Sequence, residues 1–169
     1  SRNQANWAVT FLAIMTYGAV PVPLLHEFKS ANIHHLVNHS EAKILFVDDV
    51  IWEGLTATEM PDLHAIIQVN TFKILFAVDE KIVDAKTHLN ELFGRKYPEA
   101  FTPDCLDYYE DSEEELAVIN YTSGTSGFSK GVMIPYRAIL SNLQFGKKVL
   151  PQLDSKSQVV SMLPCAHMY

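Results

Sequence analysis

Apolar residues recur at helical spacing over residues 6–17, where Trp7, Phe11, Ile14 and Met15 form one stripe, read as a core face, and Gly18 follows as a stop. Asn3 or Asn6 is placed to cap this helix. Val20-Pro21-Val22-Pro23-Leu24 then predicts a short extended piece whose two prolines rule out a full ladder of donors. A second helix opens at Ser30 with Ile33, Leu36 and Val37 on one face, and the run Lys43-Ile44-Leu45-Phe46-Val47-Asp48 reads as a compact strand. Its continuous apolar character suits a parallel strand buried on both faces. Residues 65–69 and 73–78 predict two more strands around a turn at Asn70-Thr71, the second equally compatible with a helix. Residues 87–93 predict a short helix ending at Gly94, residues 116–119 a buried strand, residues 136–149 a helix, and residues 158–163 a last strand. Helices and strands alternating over short connections give an α/β layered domain with a largely parallel sheet and flanking helices.

Composition narrows the class. A chain of 169 residues with 48% hydrophobic side chains can bury a real core and is not a disordered segment. No run approaches the ~18 apolar residues of a membrane span. The start, Ser1-Arg2-Asn3-Gln4, lacks the layout of a signal peptide, so a soluble cytoplasmic protein is expected. Cys105 and Cys165 belong to no Cys-x-x-Cys pair and suggest two thiols rather than a zinc site or a disulfide. His35 and His39 are four apart and could chelate together on a helix. No carboxylate completes a metal pattern, so a solvated histidine face is the reading and no metal ligand is assigned. Asp104, Asp107, Glu110, Asp111, Glu113, Glu114 and Glu115 account for the whole net charge of −7. They lie in residues 95–115, punctuated by Pro98 and Pro103, which read as an exposed acidic linker and argue against a nucleic-acid partner.

The chemistry concentrates in Asn120-Tyr121-Thr122-Ser123-Gly124-Thr125-Ser126-Gly127-Phe128-Ser129-Lys130-Gly131-Val132-Met133-Ile134. Three glycines let backbone N–H groups approach an anion closely, the hydroxyls of Thr122, Ser123, Thr125 and Ser126 add donors, and Lys130 adds a point charge. This is the composition of a phosphate cradle. The spacing Gly124-x-x-Gly127-x-x-Lys130-Gly131 differs from the P-loop order Gly-x-x-x-x-Gly-Lys-Ser/Thr, so a different phosphate loop is implied. Read alone, a serine- and glycine-rich stretch is a surface turn. Its strand–loop–helix context favours the phosphate loop.

That stretch resembles the loop Tyr/Phe-Thr-Ser-Gly-Thr-Thr-Gly-x-Pro-Lys-Gly-Val of the adenylate-forming, AMP-binding enzymes. Ser126 stands where threonine is usual, which keeps the hydroxyl. Ser129 stands where proline is usual, which frees a φ angle ahead of Lys130. Residues 7–24 are similar to the family's helix ending in Gly-Ala and the short strand after it. Pro164-Cys165-Ala166-His167-Met168-Tyr169 is similar to its Leu-Pro-Leu-x-His-x-Tyr/Phe motif, with Cys165 at the second leucine position. The intervening sequence is most like the bacterial long-chain fatty-acid CoA ligases.

The resemblance implies the N-terminal large domain of such an enzyme, which activates a fatty acid with ATP and Mg2+ as acyl-adenylate and passes the acyl group to coenzyme A. It implies Thr122, Ser123, Gly124, Thr125, Ser126, Gly127 and Lys130 around the β/γ-phosphates, with His167 and Tyr169 toward the acyl group, Lys130 and His167 being the candidate catalytic residues. Gly-x-Ser-x-Gly is absent, so Ser126 is not read as a nucleophile. The family's later adenine, magnesium and ribose motifs, its hinge and its small C-terminal domain are not found. Residues 1–169 are therefore expected to be an incomplete catalytic unit, inactive alone and prone to self-association, with peripheral contact at the inner membrane face reserved for the whole protein. A non-catalytic nucleotide-binding or interaction module, and a peptide-synthetase adenylation domain, are the alternatives.

Overall fold

The computed structural model describes residues 1–107, 112–122, 130–158, 160 and 163–166. In chain order the elements are α1 (Ala5–Thr16), α2 (Ser30–His39), β1 (Ile44–Val47), α3 (Asp49–Trp52), β2 (Ala65–Gln68), β3 (Ile74–Ala77), α4 (Glu80–Thr87), α5 (Leu89–Lys96), β4 (Leu116–Thr122), β5 (Lys130–Pro135) and α6 (Tyr136–Val149). They fall into two compact units, one over Phe28–Tyr108 and one made of Arg2–Glu27 with Tyr109–Tyr169. No helix among the described residues is long and apolar enough to cross a membrane.

The first unit holds a three-stranded sheet in the order β1-β2-β3. β1 and β2 are parallel, with Ile44 opposite Ala65 and Val47 opposite Gln68. The connection between them is long enough for a crossover and contains α3, whose first turn is capped by the Asp48 carboxylate accepting from the Ile51 N–H at 3.2 Å. Two side chains of α2 hold the same crossover: Asn38 donates to the Glu59 carbonyl at 2.8 Å, and the His34 ring accepts from the Thr56 N–H at 3.1 Å. β2 and β3 are antiparallel, because the turn over residues 69–71 allows nothing else. Ile33, Leu36 and Val37 of α2 are buried at the expected i, i+3, i+4 spacing, together with Val47, Met60, Leu63, Ala65, Ile66 and Val69.

The α/β class holds, with parallel pairing among the described strands confined to β1–β2. β1 is also not buried on both faces as expected: it is an edge strand, with Val47 enclosed but Ile44 half-exposed. The helix expected at residues 87–93 is present as α5, which runs past Gly94 to Lys96, and a further helix not expected there, α4, precedes it and meets it at His88. Asp79 caps α4 by accepting from the Lys81 N–H, and the Arg95–Glu91 pair spans one turn of α5 and carries it past Gly94.

In the second unit α1 lies where expected and ends at Gly18, whose φ of 81° is the left-handed conformation that glycine adopts without strain. Its stripe of Trp7, Phe11, Ile14 and Met15 is only half-buried, and the enclosed position is Thr10, whose hydroxyl has no hydrogen-bond partner among the described residues. Neither Asn3 nor Asn6 caps α1; Gln4 occupies the cap without a side-chain bond. The Pro21–Pro23 piece stands in no strand, and Pro21 accepts one bond from the Ile119 N–H at 3.2 Å. β4 and β5 form an antiparallel pair that buries Ala117, Val118 and Tyr121. β5 replaces the simple loop-to-helix path expected between Lys130 and Tyr136. The start of α6 is tied back to the acidic stretch: Tyr136 N–H donates to the Glu115 carbonyl, Arg137 N–H to the Glu113 carbonyl, and the Arg137 Nε to the Glu114 carboxylate at 2.9 Å.

Three outcomes follow from this packing. Leu36→Ala should cost about 3 kcal/mol, within the range for emptying a closed site, whereas Val50→Ala, at an 82% exposed position, should leave the urea midpoint in place. A methyl group at Gly131 would meet Ile119 Cγ2 at 3.2 Å and Tyr121 Cε1 at 3.3 Å, so Gly131→Ala should destabilise the β4–β5 pair by about 1 kcal/mol in the same assay. Burial pushes the Tyr121 phenol above its ordinary pKa of 10.0. Its neutral form is the one the fold favours, so that contribution is complete below pH 10.0 and is lost as pH rises through the higher folded value. Tyr121→Phe should remove this part of the alkaline loss in denaturation series on either side of that pH.

Candidate functional site

The motif is delivered by two strands. β4 carries Asn120-Tyr121-Thr122 up to it and β5 resumes at Lys130, with Asn120 opposite Val132, Tyr121 opposite Gly131 and Thr122 opposite Lys130. Directly opposed residues in an antiparallel pair project to the same face with Cα atoms about 5 Å apart. Thr122 and Lys130 therefore stand side by side on one face at the end of the pair, and both residues are exposed.

Local sequence explains the pairing. Val132 and Ile134 are β-branched and alternate along β5, Pro135 closes the strand, and Gly131 leaves the space that the Tyr121 ring occupies from the opposite strand. Tyr121 is 7% exposed, so the residue just before Thr122 is anchored in the core while Thr122 itself faces solvent. At this step successive side chains point to opposite faces, as strand geometry requires.

Of the sequence-assigned residues, the structure brings Thr122 and Lys130 together. Ser123, Gly124, Thr125, Ser126 and Gly127 lie outside the described residues, as do His167 and Tyr169. The strand expected at 158–163 has residues 159, 161 and 162 outside them as well, and Gln158, Val160 and Leu163 stand in no strand. Among the described residues no group of three or more His, Cys, Asp or Glu side chains could hold a metal ion. The His35 and His39 rings lie 5.9 Å apart between centroids on α2. An open groove of 530 Å³ along the end of α6, lined in part by Leu143, Gly146, Lys147 and Leu150, contains none of the candidate residues.

One contact had no local signal in the sequence. The Asn3 side chain donates to the Leu163 carbonyl at 2.7 Å and accepts from the Cys165 N–H at 2.7 Å, across 160 and 162 positions of chain. Neither cysteine is in a disulfide, and the Cys105 thiol is held below its ordinary pKa by hydrogen bonds from the Thr102 backbone and hydroxyl.

Comparison with known proteins agrees with the strand-borne motif. The family model of the AMP-binding enzymes matches residues 1–169. The chain is 26% identical to the peroxisomal long chain acyl-CoA synthetase 6 of Arabidopsis thaliana, over 99% of its own length and 23% of that protein. It is 28% identical to long-chain-fatty-acid–CoA ligase 5 of Rattus norvegicus, over 100% of its length and 25% of the relative. The chain thus spans about a quarter of the length of the curated relatives it matches. Among solved structures, a long-chain-fatty-acid-CoA ligase (FadD1) from Archaeoglobus fulgidus superposes with a TM-score of 0.69 at 23% identity, covering 98% of this chain and 30% of that one. The anthranilate CoA ligase AuaEII, solved with anthranoyl-AMP, superposes with a TM-score of 0.65 at 18% identity, covering 87% of this chain and 26% of that one. With Thr122 set opposite Lys130 at the end of the β4–β5 pair and a family match that runs the whole length, this chain belongs to the AMP-binding enzymes.

Proposed function

We propose that the whole protein to which this chain belongs is an acid–thiol ligase that activates a long-chain fatty acid with ATP as acyl-adenylate and transfers the acyl group to coenzyme A. The observation that carries the reading is the register that sets Thr122 opposite Lys130 at the ends of the glycine-rich motif. The relatives named as long-chain fatty-acid CoA ligases supply the substrate class.

The first step brings a carboxylate toward a phosphate, anion against anion. Positive charge and aligned donors that meet the phosphates make that approach tolerable, and their effect grows as water is excluded. In this reading Thr122, Ser123, Gly124, Thr125, Ser126, Gly127 and Lys130 hold the β/γ-phosphates. Lys130 neutralises charge as pyrophosphate departs. Thr122 and Lys130, exposed and opposite one another at the end of the β4–β5 pair, fit an anion as partner. Magnesium bound to the triphosphate would supply further charge neutralisation there. His167 and Tyr169 are assigned toward the acyl group.

The test is fatty-acid-dependent exchange of pyrophosphate into ATP by the full-length protein. Exchange should require a long-chain acid, and Lys130→Ala should slow it by about a hundredfold or more while leaving fatty-acid affinity in place. Nucleotide binding without exchange would make the protein a binding module instead, and unchanged exchange in the variant would remove Lys130 from the mechanism.

A further inference from the structure

We propose that Asn3 is a positioning residue that fixes residues 163–166, and through them the segment carrying His167; this rests on, and deepens, the reading of that segment as the acyl side of the site. The carboxamide of Asn3 presents a donor and an acceptor in one plane, as a peptide unit does. It gives the donor to the Leu163 carbonyl and the acceptor to the Cys165 N–H. Those are the two backbone groups that flank Pro164, and they are the pair that a residue of a neighbouring parallel strand would engage. Pro164 has no N–H of its own, so the side chain satisfies the backbone on both sides of it.

The hydrogen bonds described for Leu163 and Cys165 both run to Asn3. The clamp is continuous with two further ties from the same N-terminal stretch: Pro21 accepts from the Ile119 N–H at 3.2 Å, and Met15 accepts from the Tyr136 hydroxyl at 3.4 Å. Ile119 lies in β4, three positions before Thr122. One stretch of chain, residues 3–21, is therefore bonded both to the strand that leads into the phosphate motif and to the backbone just before His167. Both ends of the proposed site take their support from it.

Only asparagine supplies this geometry. Alanine loses both bonds, aspartate keeps the acceptor for Cys165 but loses the donor to Leu163, and glutamine carries the amide one methylene too far.

The experiment uses the full-length protein with Asn3→Ala, Asn3→Asp and Asn3→Gln. Amide hydrogen exchange at Cys165 should quicken about fivefold or more in Asn3→Ala, as expected for a lost hydrogen bond of ordinary net strength, with Asn3→Asp nearer the wild type. In the acyl-CoA assay Asn3→Ala and Asn3→Gln should raise KM for the fatty acid several-fold and leave KM for ATP alone. A purely structural role would lower the folded fraction and the apparent kcat while moving neither KM. Unchanged Cys165 exchange in Asn3→Ala overturns the clamp, and faster exchange with an unchanged fatty-acid KM overturns its role in positioning. Wild-type protein that makes no acyl-adenylate overturns the parent reading, a result that the exchange measurement tells apart from failure of the clamp.

Discussion

The pairing of β4 with β5 is the constraint on which the candidate site depends. Without it, Thr122 and Lys130 would be two polar residues eight positions apart; with it, they are opposite one another at a sheet end. A two-stranded ribbon alone is marginal in water. This one is held from below by Ala117, Val118 and Tyr121, all buried, and from the side by the bond between Ile119 and Pro21. The Tyr121 ring fills the place that Gly131 leaves empty, so the glycine nearest Lys130 serves packing. At the end of β4, Tyr121 is locked in the core and the next residue, Thr122, is exposed.

The legible parts of the fold were those encoded by local pattern. α2, with Ile33, Leu36 and Val37 on one face, and α6 follow from helical spacing, and β1, β2 and β3 follow from short apolar runs. Pairing direction was less accessible, because it is set by connection length: the crossover through α3 permits a parallel β1–β2 pair, and the tight turn at residues 69–71 forces β3 antiparallel. β5 was less legible because Val132-Met133-Ile134 is a short apolar run without alternation of apolar and polar residues, and its pairing with β4 is not written in its own residues. α4, which the sequence reading did not contain, starts at the Asp79 cap, and α5 extends past Gly94 with the Glu91–Arg95 pair spanning one of its turns.

At the site, the motif and its family were legible in the residues themselves, and the whole-length family match agrees with them. Long-range contacts were not. Asn3 sits where a helix cap is expected, and its amide reaches instead to Leu163 and Cys165. No local pattern distinguishes a capping asparagine from one that stands in for a strand. The acidic stretch gives a similar lesson. It reads as a solvated linker, yet the Glu113 and Glu115 carbonyls receive the first N–H groups of α6, donors that have no partner within the helix.

The most direct measurement of the central claim is a titration of the 19.0 kDa chain with magnesium-ATP, followed residue by residue through amide resonances. If the mouth of the β4–β5 pair is where an anion is met, the Thr122 and Lys130 amides shift together along one saturating curve. The amides of β1, β2 and β3 then stay in place. Saturation that moves the β1–β2–β3 sheet and leaves Thr122 and Lys130 unshifted would contradict it.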